Sequence, residues 1–284
     1  MFAIIGIIVV GGAVLAGYLM EHGNLSVLIQ PAELVIIFGA ATGSFLVASP
    51  SKIVMLTVKS LGSILGGAMP TKTSYLEFLS LLFDIFSKIR KEGLVSIEAD
   101  IETPDKSPIF QKYPNVLKSH HALNFICDNL KVIISANIPP YELDNLMDIE
   151  IETHHHEAMQ PSHAIAKVAD ALPGLGIVAA VLGVVLTMAK IDQPPAVLGD
   201  SIGAALVGTF LGVLMCYGFV GPMATNLEHQ AHENGVIFQV IKVAIVAFVG
   251  GSAPQMAVEF GRRAIPGGEK PTFLELENKV RGRK

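Results

Sequence analysis

With 284 residues, 16% of them charged, and a mean hydropathy of +0.54, the chain is too apolar for an ordinary soluble domain, whose charged share is about a quarter. A net charge of −5 argues against a nucleic-acid binder, and the basic stretch from Arg281 to Lys284 reads as a solvated tail. Two cysteines, Cys127 in a polar segment and Cys216 in an apolar one, suggest no disulfide framework and read as inert buried thiols.

Taken in chain order, four segments without a charged residue are long enough to cross a hydrocarbon core of about 30 Å at about 1.5 Å per residue. They are Phe2 to Met20, Leu34 to Ser51, Ala171 to Ala189 and Ser201 to Ala224. Helices satisfy every backbone group within such a run, so the membrane part is expected to be all-α. The first segment has no Lys or Arg before it and outruns the apolar stretch of a secretory leader, so it is read as a span. Eleven Lys and Arg lie between Lys52 and Lys167 and eight from Lys242 onward. Only Lys190 falls in the two short connections, Glu21 to Glu33 and Lys190 to Asp200. Positive charge gathers on the inner side, which puts both termini and the central region in the cytoplasm. The expected fold is an all-α integral membrane protein with four transmembrane helices and a helical cytoplasmic domain. Its parts are a transmembrane hairpin over 1–55, a cytoplasmic domain over 56–167, a second hairpin over 168–226 and a cytoplasmic segment over 227–284.

Within the central region, Leu76, Leu79, Phe83 and Phe86 form a stripe at spacings of three and four, with Glu77, Asp84, Lys88 and Lys91 falling elsewhere. This is the pattern of an amphipathic helix, ended by Gly93. Pro104 and Pro108 mark a loop, and Pro139 with Pro140 opens a helix leading toward the third span. A further apolar stretch, Val236 to Val249, is short and carries Lys242 in its middle, so it is expected to be cytoplasmic or interfacial.

No Walker sequence, dinucleotide fingerprint, nucleophile elbow or metal-ligand cysteine pair is present, so an enzyme is not expected, nor any cofactor. His154, His155, His156 and His163 with Glu152 and Glu157 suggest zinc, yet consecutive histidines point around a helix, and the cluster reads as solvated polar residues. Small residues recur four apart at Gly12 and Ala16, Gly39 and Gly43, and Ala204, Gly208 and Gly212, which lets helix backbones approach closely. No titratable residue lies within the four segments, so any ion-carrying carboxylate is expected from another chain, with Thr209 lining its path. Pro173 and Pro222 fall toward the cytoplasmic face of the third and fourth spans. They mark either a hinge beside an ion path or a helix start and a helix stop.

Asp170-Ala-Leu-Pro-Gly-Leu-Gly-Ile-Val-Ala-Ala-Val-Leu-Gly-Val-Val, Val207-Gly-Thr-Phe-Leu-Gly and Tyr217-Gly-Phe-Val-Gly-Pro resemble the flagellar stator family MotA. Ile89-Arg-Lys-Glu-Gly-Leu, Ser96-Ile-Glu-Ala-Asp-Ile-Glu and Ala257-Val-Glu-Phe-Gly-Arg extend the resemblance over nearly the whole chain. It implies a proton-driven stator of the bacterial inner membrane, in which a homopentamer surrounds two copies of MotB. MotB supplies the ion-binding aspartate and the peptidoglycan anchor. Carried over by position, Arg90 and Glu98 match the charged pair that contacts the rotor protein FliG, and Pro173, Thr209 and Pro222 match positions beside the ion path. In sodium-type stators the position of Ala180 is threonine; alanine offers no oxygen ligand, which favours the proton. The alternatives are an ExbB or TolQ type energising subunit, which has three spans, and a structural membrane scaffold.

Overall fold

The computed structural model describes residues 2–66, 69–136 and 138–282; Arg283 and Lys284 of the basic tail lie outside the described residues. Helix α1 runs over Phe2–Met20. The short α2, Leu25–Leu28, is opened by Asn24, whose side chain accepts from the Ser26 amide. Pro31 occupies the first position of α3, Pro31–Ala48, and α4 spans Ser51–Gly66. Thr71 and Ser74 form a reciprocal cap that starts α5, Lys72–Glu92, and Gly93, at φ 91°, ends it where a side chain would be strained. Short helices α6, Glu98–Glu102, and α7, Pro114–Lys118, lead to α8, His120–Ala136. The long α9 covers Pro140–Met188, and α10 covers Pro195–Leu214. A π-helical stretch, Met215–Val220, joins α10 to α11, Gly221–Val249; α12, Pro254–Ala264, and α13, Phe273–Val280, complete the chain. No strand occurs among the described residues. Among the described residues, four helical stretches are long and apolar enough to cross a membrane: Phe2–Met20, Leu25–Ala48, Pro140–Met188 and Pro195–Val249.

The chain divides into two compact units. One, Met1–Ala68 with Ala158–Gln230, holds the four apolar segments. Ile37 and Ala41 of α3 pack with Ala169, Leu172 and Ala179 of α9 and with Cys216, while Ile64 of α4 meets Ile165, Ala224 and Leu227. Polar side chains inside it bond to backbone: Ser162 Oγ donates to the Ala224 carbonyl at 2.9 Å and Gln230 Nε2 to that of Ser63 at 3.3 Å. Large apolar side chains remain exposed along α1, α3, α9 and α10, the surface expected of a unit whose surroundings are lipid and other helices.

The second unit, Met69–Glu157 with Ala231–Lys284, has an ordinary hydrophobic core. Helix α5 is its centre: Tyr75, Phe78, Leu79, Leu81, Leu82, Ile85 and Phe86 are buried, which widens the predicted stripe of Leu76, Leu79, Phe83 and Phe86 into a nearly all-round apolar surface. Phe86 stacks on Phe248 with ring centroids 4.3 Å apart. Gly261 of α12 lies so close that a Cβ would come within 2.9 Å of Leu79 Cδ2. The apolar stretch Val236 to Val249 belongs to this core, with Val240, Ile241, Ala244 and Ile245 buried. Lys242 in its middle bridges Asp144 at 2.9 Å and Asp148 at 2.6 Å, so the charge that made the segment ambiguous is answered by α9. Burial in the same core pushes the Cys127 thiol up to about 12, which leaves it protonated and unreactive.

Three readings of the sequence are corrected. Pro173 starts no helix: it lies far inside α9, as does Pro161. Pro222 stops none, because the chain stays helical through Val249, and the preceding turn widens so that the Gly221 amide donates to Cys216, five residues back. Glu33, placed in an outer loop, sits in the first turn of α3 and is 7% exposed. Counting a span from its first uncharged residue excludes a charge in the first turn by construction.

Candidate functional site

Helices α9 and α10 meet backbone to backbone. A Cβ on Gly176 would lie 2.6 Å from the Gly208 carbonyl oxygen, one on Gly212 would lie 2.5 Å from that of Leu172, and one on Gly183 would lie 2.7 Å from Ala205 Cβ. The small residues Gly208 and Gly212 therefore do what their spacing predicts, with Ala205 rather than Ala204 as the buried third member. Gly12, Gly39 and Gly43 meet nothing within 4 Å in this chain.

Ala180 is buried on this seam, its amide nitrogen 3.1 Å from where a Gly208 Cβ would stand. Thr209, the next residue, is half-buried. The two residues picked out for ion selectivity thus sit at one level of adjacent helices. The Glu33 side chain enters the same seam: a Cβ on Gly208 would overlap Glu33 Oε2, and one on Gly183 would come within 3.5 Å of Oε1. Oε2 is fully buried without a hydrogen-bond partner among the described residues. Sequence reasoning missed this carboxylate, although proline at Pro31 with an acid two residues on is a helix-start signature that would have brought it into the span.

Pro222 lines a cavity of about 660 Å³ with Asp170, His163, Cys216, Tyr217 and His229. Pro173 is half-buried three residues beyond Asp170 and, lacking an amide proton, leaves the Ala169 carbonyl without its helical donor. The histidine cluster does not converge. His154 packs on Phe238 and His121, with centroids at 4.3 and 5.3 Å, while His155 faces His232 at 6.2 Å. Among the described residues no group of three or more His, Cys, Asp or Glu is placed to hold a metal ion.

In the second unit, Arg90 lies in the last turn of α5 and Glu98 at the first position of α6, both exposed. The elements carrying them are tied by a Lys88–Asp100 ion pair at 2.8 Å, whose carboxylate also accepts from Ser107 Oγ at 2.6 Å. Neither Arg90 nor Glu98 makes an ion pair among the described residues, so both charges are presented outward on a braced corner.

The chain matches the family Motility protein A N-terminal over residues 4–93 and the MotA/TolQ/ExbB proton channel family over residues 118–239. It is 45% identical to motility protein A of Salmonella typhimurium, covering 99% of this chain and 95% of that one. It is 46% identical to motility protein A of Escherichia coli, with the same coverage of each chain. Its fold is that of the C. jejuni MotAB structure, with a TM-score of 0.77 at 18% identity over 93% of this chain and 95% of that one. Full-length likeness to motility protein A and the glycine-packed helix pair agree: the chain belongs to the MotA family of membrane proton-channel proteins.

Proposed function

We propose that this chain is a non-enzymatic stator subunit of the proton-driven flagellar motor, which assembles as a homopentamer around MotB in the bacterial inner membrane with both termini cytoplasmic. The observation that carries the reading is the α9–α10 seam, where Ala180 and Thr209 share a level on helices in backbone contact. Exposed apolar and glycine faces on α1 and α3 support an assembly, since such surfaces gain most from close helical neighbours. The excess of Lys and Arg in the regions between and after the hairpins supports the orientation.

In this reading MotB contributes the ion-carrying aspartate, and Pro173, Ala180, Thr209 and Pro222 flank its path. Alanine at 180 supports proton rather than sodium coupling, because sodium needs several oxygen ligands in exchange for its hydration shell. Arg90 and Glu98 form the FliG-facing surface, their outward charges suited to steering a complementary rotor patch. Lipid covers the remaining apolar faces.

The test is proton flux in liposomes containing this polypeptide with and without MotB, with subunit number counted in the purified complex. Flux that requires MotB, in a complex of five to two, is the expected result. Flux through the chain alone, or motor rotation that survives loss of the proton gradient and scales with sodium, would overturn the reading.

A further inference from the structure

Among the described buried side chains of the membrane unit, Glu33 is the one with an orphaned polar atom. It is 7% exposed, in the first turn of a span-length helix, and its Oε2 has no hydrogen-bond partner. No Lys, Arg or His forms an ion pair with it among the described residues. A carboxyl inside a membrane is costly, so an isolated one calls for a use. The surroundings are shaped around it. Gly208 of α10 leaves out the Cβ that would overlap Oε2, while Gly183 of α9 lies alongside, where a Cβ would stand 3.5 Å from Oε1 in ordinary contact. Gly183 and Gly208, the residues of these helices beside its carboxyl oxygens, do not titrate, and α2 carries no titratable side chain.

The same cradle touches the level of the conduction path. The atoms nearest a Gly208 Cβ are Glu33 Oε2, Ala179 Cβ and the Ala180 amide, and Thr209 is the next residue along α10. We propose that Glu33 is a proton-holding site of this subunit, seated in the Gly183–Gly208 cradle, which loads a proton on its way from the outer side to the path beside Ala180 and Thr209. In the loading step one carboxylate oxygen gains an O–H bond and the carboxyl becomes neutral. In the unloading step that bond breaks, and the proton passes to water or to the partner's carboxylate, with no change in electron count. The inference rests on the stator reading and adds a second protonatable group to the path.

The experiment uses the full complex of this chain with MotB. Dicyclohexylcarbodiimide, an apolar reagent that attacks protonated carboxyls, is applied over a pH series, and the modified residues are located by mass spectrometry. Label on Glu33 that falls as pH rises is the expected result and needs no variant; an absence of label on Glu33 at every pH sinks the proposal. In parallel, Glu33→Gln keeps the volume and polarity but cannot carry the proton. It should assemble normally and cut proton flux by about 100-fold, the lower end of what a positioned proton-transfer group contributes. Glu33→Asp should retain part of the flux. Assembled Glu33→Gln complexes with parental flux would overturn the role while leaving the stator reading intact; a parental complex without flux would instead strike the stator reading.

Discussion

Gly208 has no room for a side chain, because three atoms of two other helices occupy the space a methyl group would need. Gly208→Ala should overpack the seam by roughly 1–3 kcal/mol and displace Glu33, lowering the melting temperature of the purified protein. Gly39→Ala, which meets nothing within 4 Å, should leave the isolated subunit's melting unchanged. The charged corner behaves differently. Arg90→Glu and Glu98→Lys alter exposed side chains braced from behind by Lys88–Asp100, so both variants should insert and assemble normally yet deliver less torque. Motor speed under load, measured beside the amount of subunit in the membrane, separates lost contact from lost folding. These roles were unevenly legible. The glycine spacing declared the seam, whereas nothing in the chemistry of Arg90 and Glu98 distinguishes them from other surface charges, so only resemblance marked them. Glu33 escaped because a charge at a span's edge looks the same in the sequence whether the next turn is water or protein.

At the scale of elements, prolines misled and a lysine informed. Pro173 and Pro222 carry standard boundary signals, but a long helix anchored on both sides tolerates one missing hydrogen bond, and the π-helical turn before Pro222 takes up the misfit. Removing one residue from Met215–Val220 would return the turn to ordinary α register. Ala224 and Leu227 would keep facing Ile64 and Ile165, because the wider turn takes up one extra residue. Lys242 shows an asymmetry that mutation can test. The lysine is 8% exposed while the side chains of Asp144 and Asp148 are 42% and 50% exposed. Lys242→Met leaves two solvated carboxylates behind and should cost less than about 1 kcal/mol. Replacing both aspartates with asparagine strands the buried cation and should cost about 3 kcal/mol. Thermal melts of the two variants should fall in that order, and a reversal would mean that the pair is held for its negative charge.

For the whole molecule, one unit exposes large apolar side chains along span-length helices and the other has an ordinary hydrophobic core, and their responses to acid should differ. In the second unit, hydrogen bonds from Lys72 and from Thr272 hold the Glu275 carboxyl down at about 2 against an ordinary 4.5. Arg262 and Arg263 likewise hold Glu259 below its usual range. A depressed carboxylate contributes stability that is complete above its ordinary value and lost as pH falls toward the depressed one. Docking of α12 and α13 onto α5 should therefore loosen between pH 4.5 and about 2, read as a rise in hydrogen exchange confined to those helices. Glu275→Gln should flatten that response. The four-span layout was legible because apolar length is a property of composition, while the boundary of the second unit's core was not, since Val236 to Val249 reads alike as span and as core until Lys242 finds Asp144 and Asp148.

In the proposed assembly, where neighbouring helices pack on the faces of Gly12, Gly39 and Gly43, the supply of this protein becomes a matter of dosage. On that reading each copy leaves the ribosome with surfaces that neighbours complete, and copies made in excess of available assembly sites stay unfinished in the bilayer. Their lifetime, followed by pulse-chase, should shorten as expression rises above that of the companion chain, and motility should track the scarcer of the two rather than their sum.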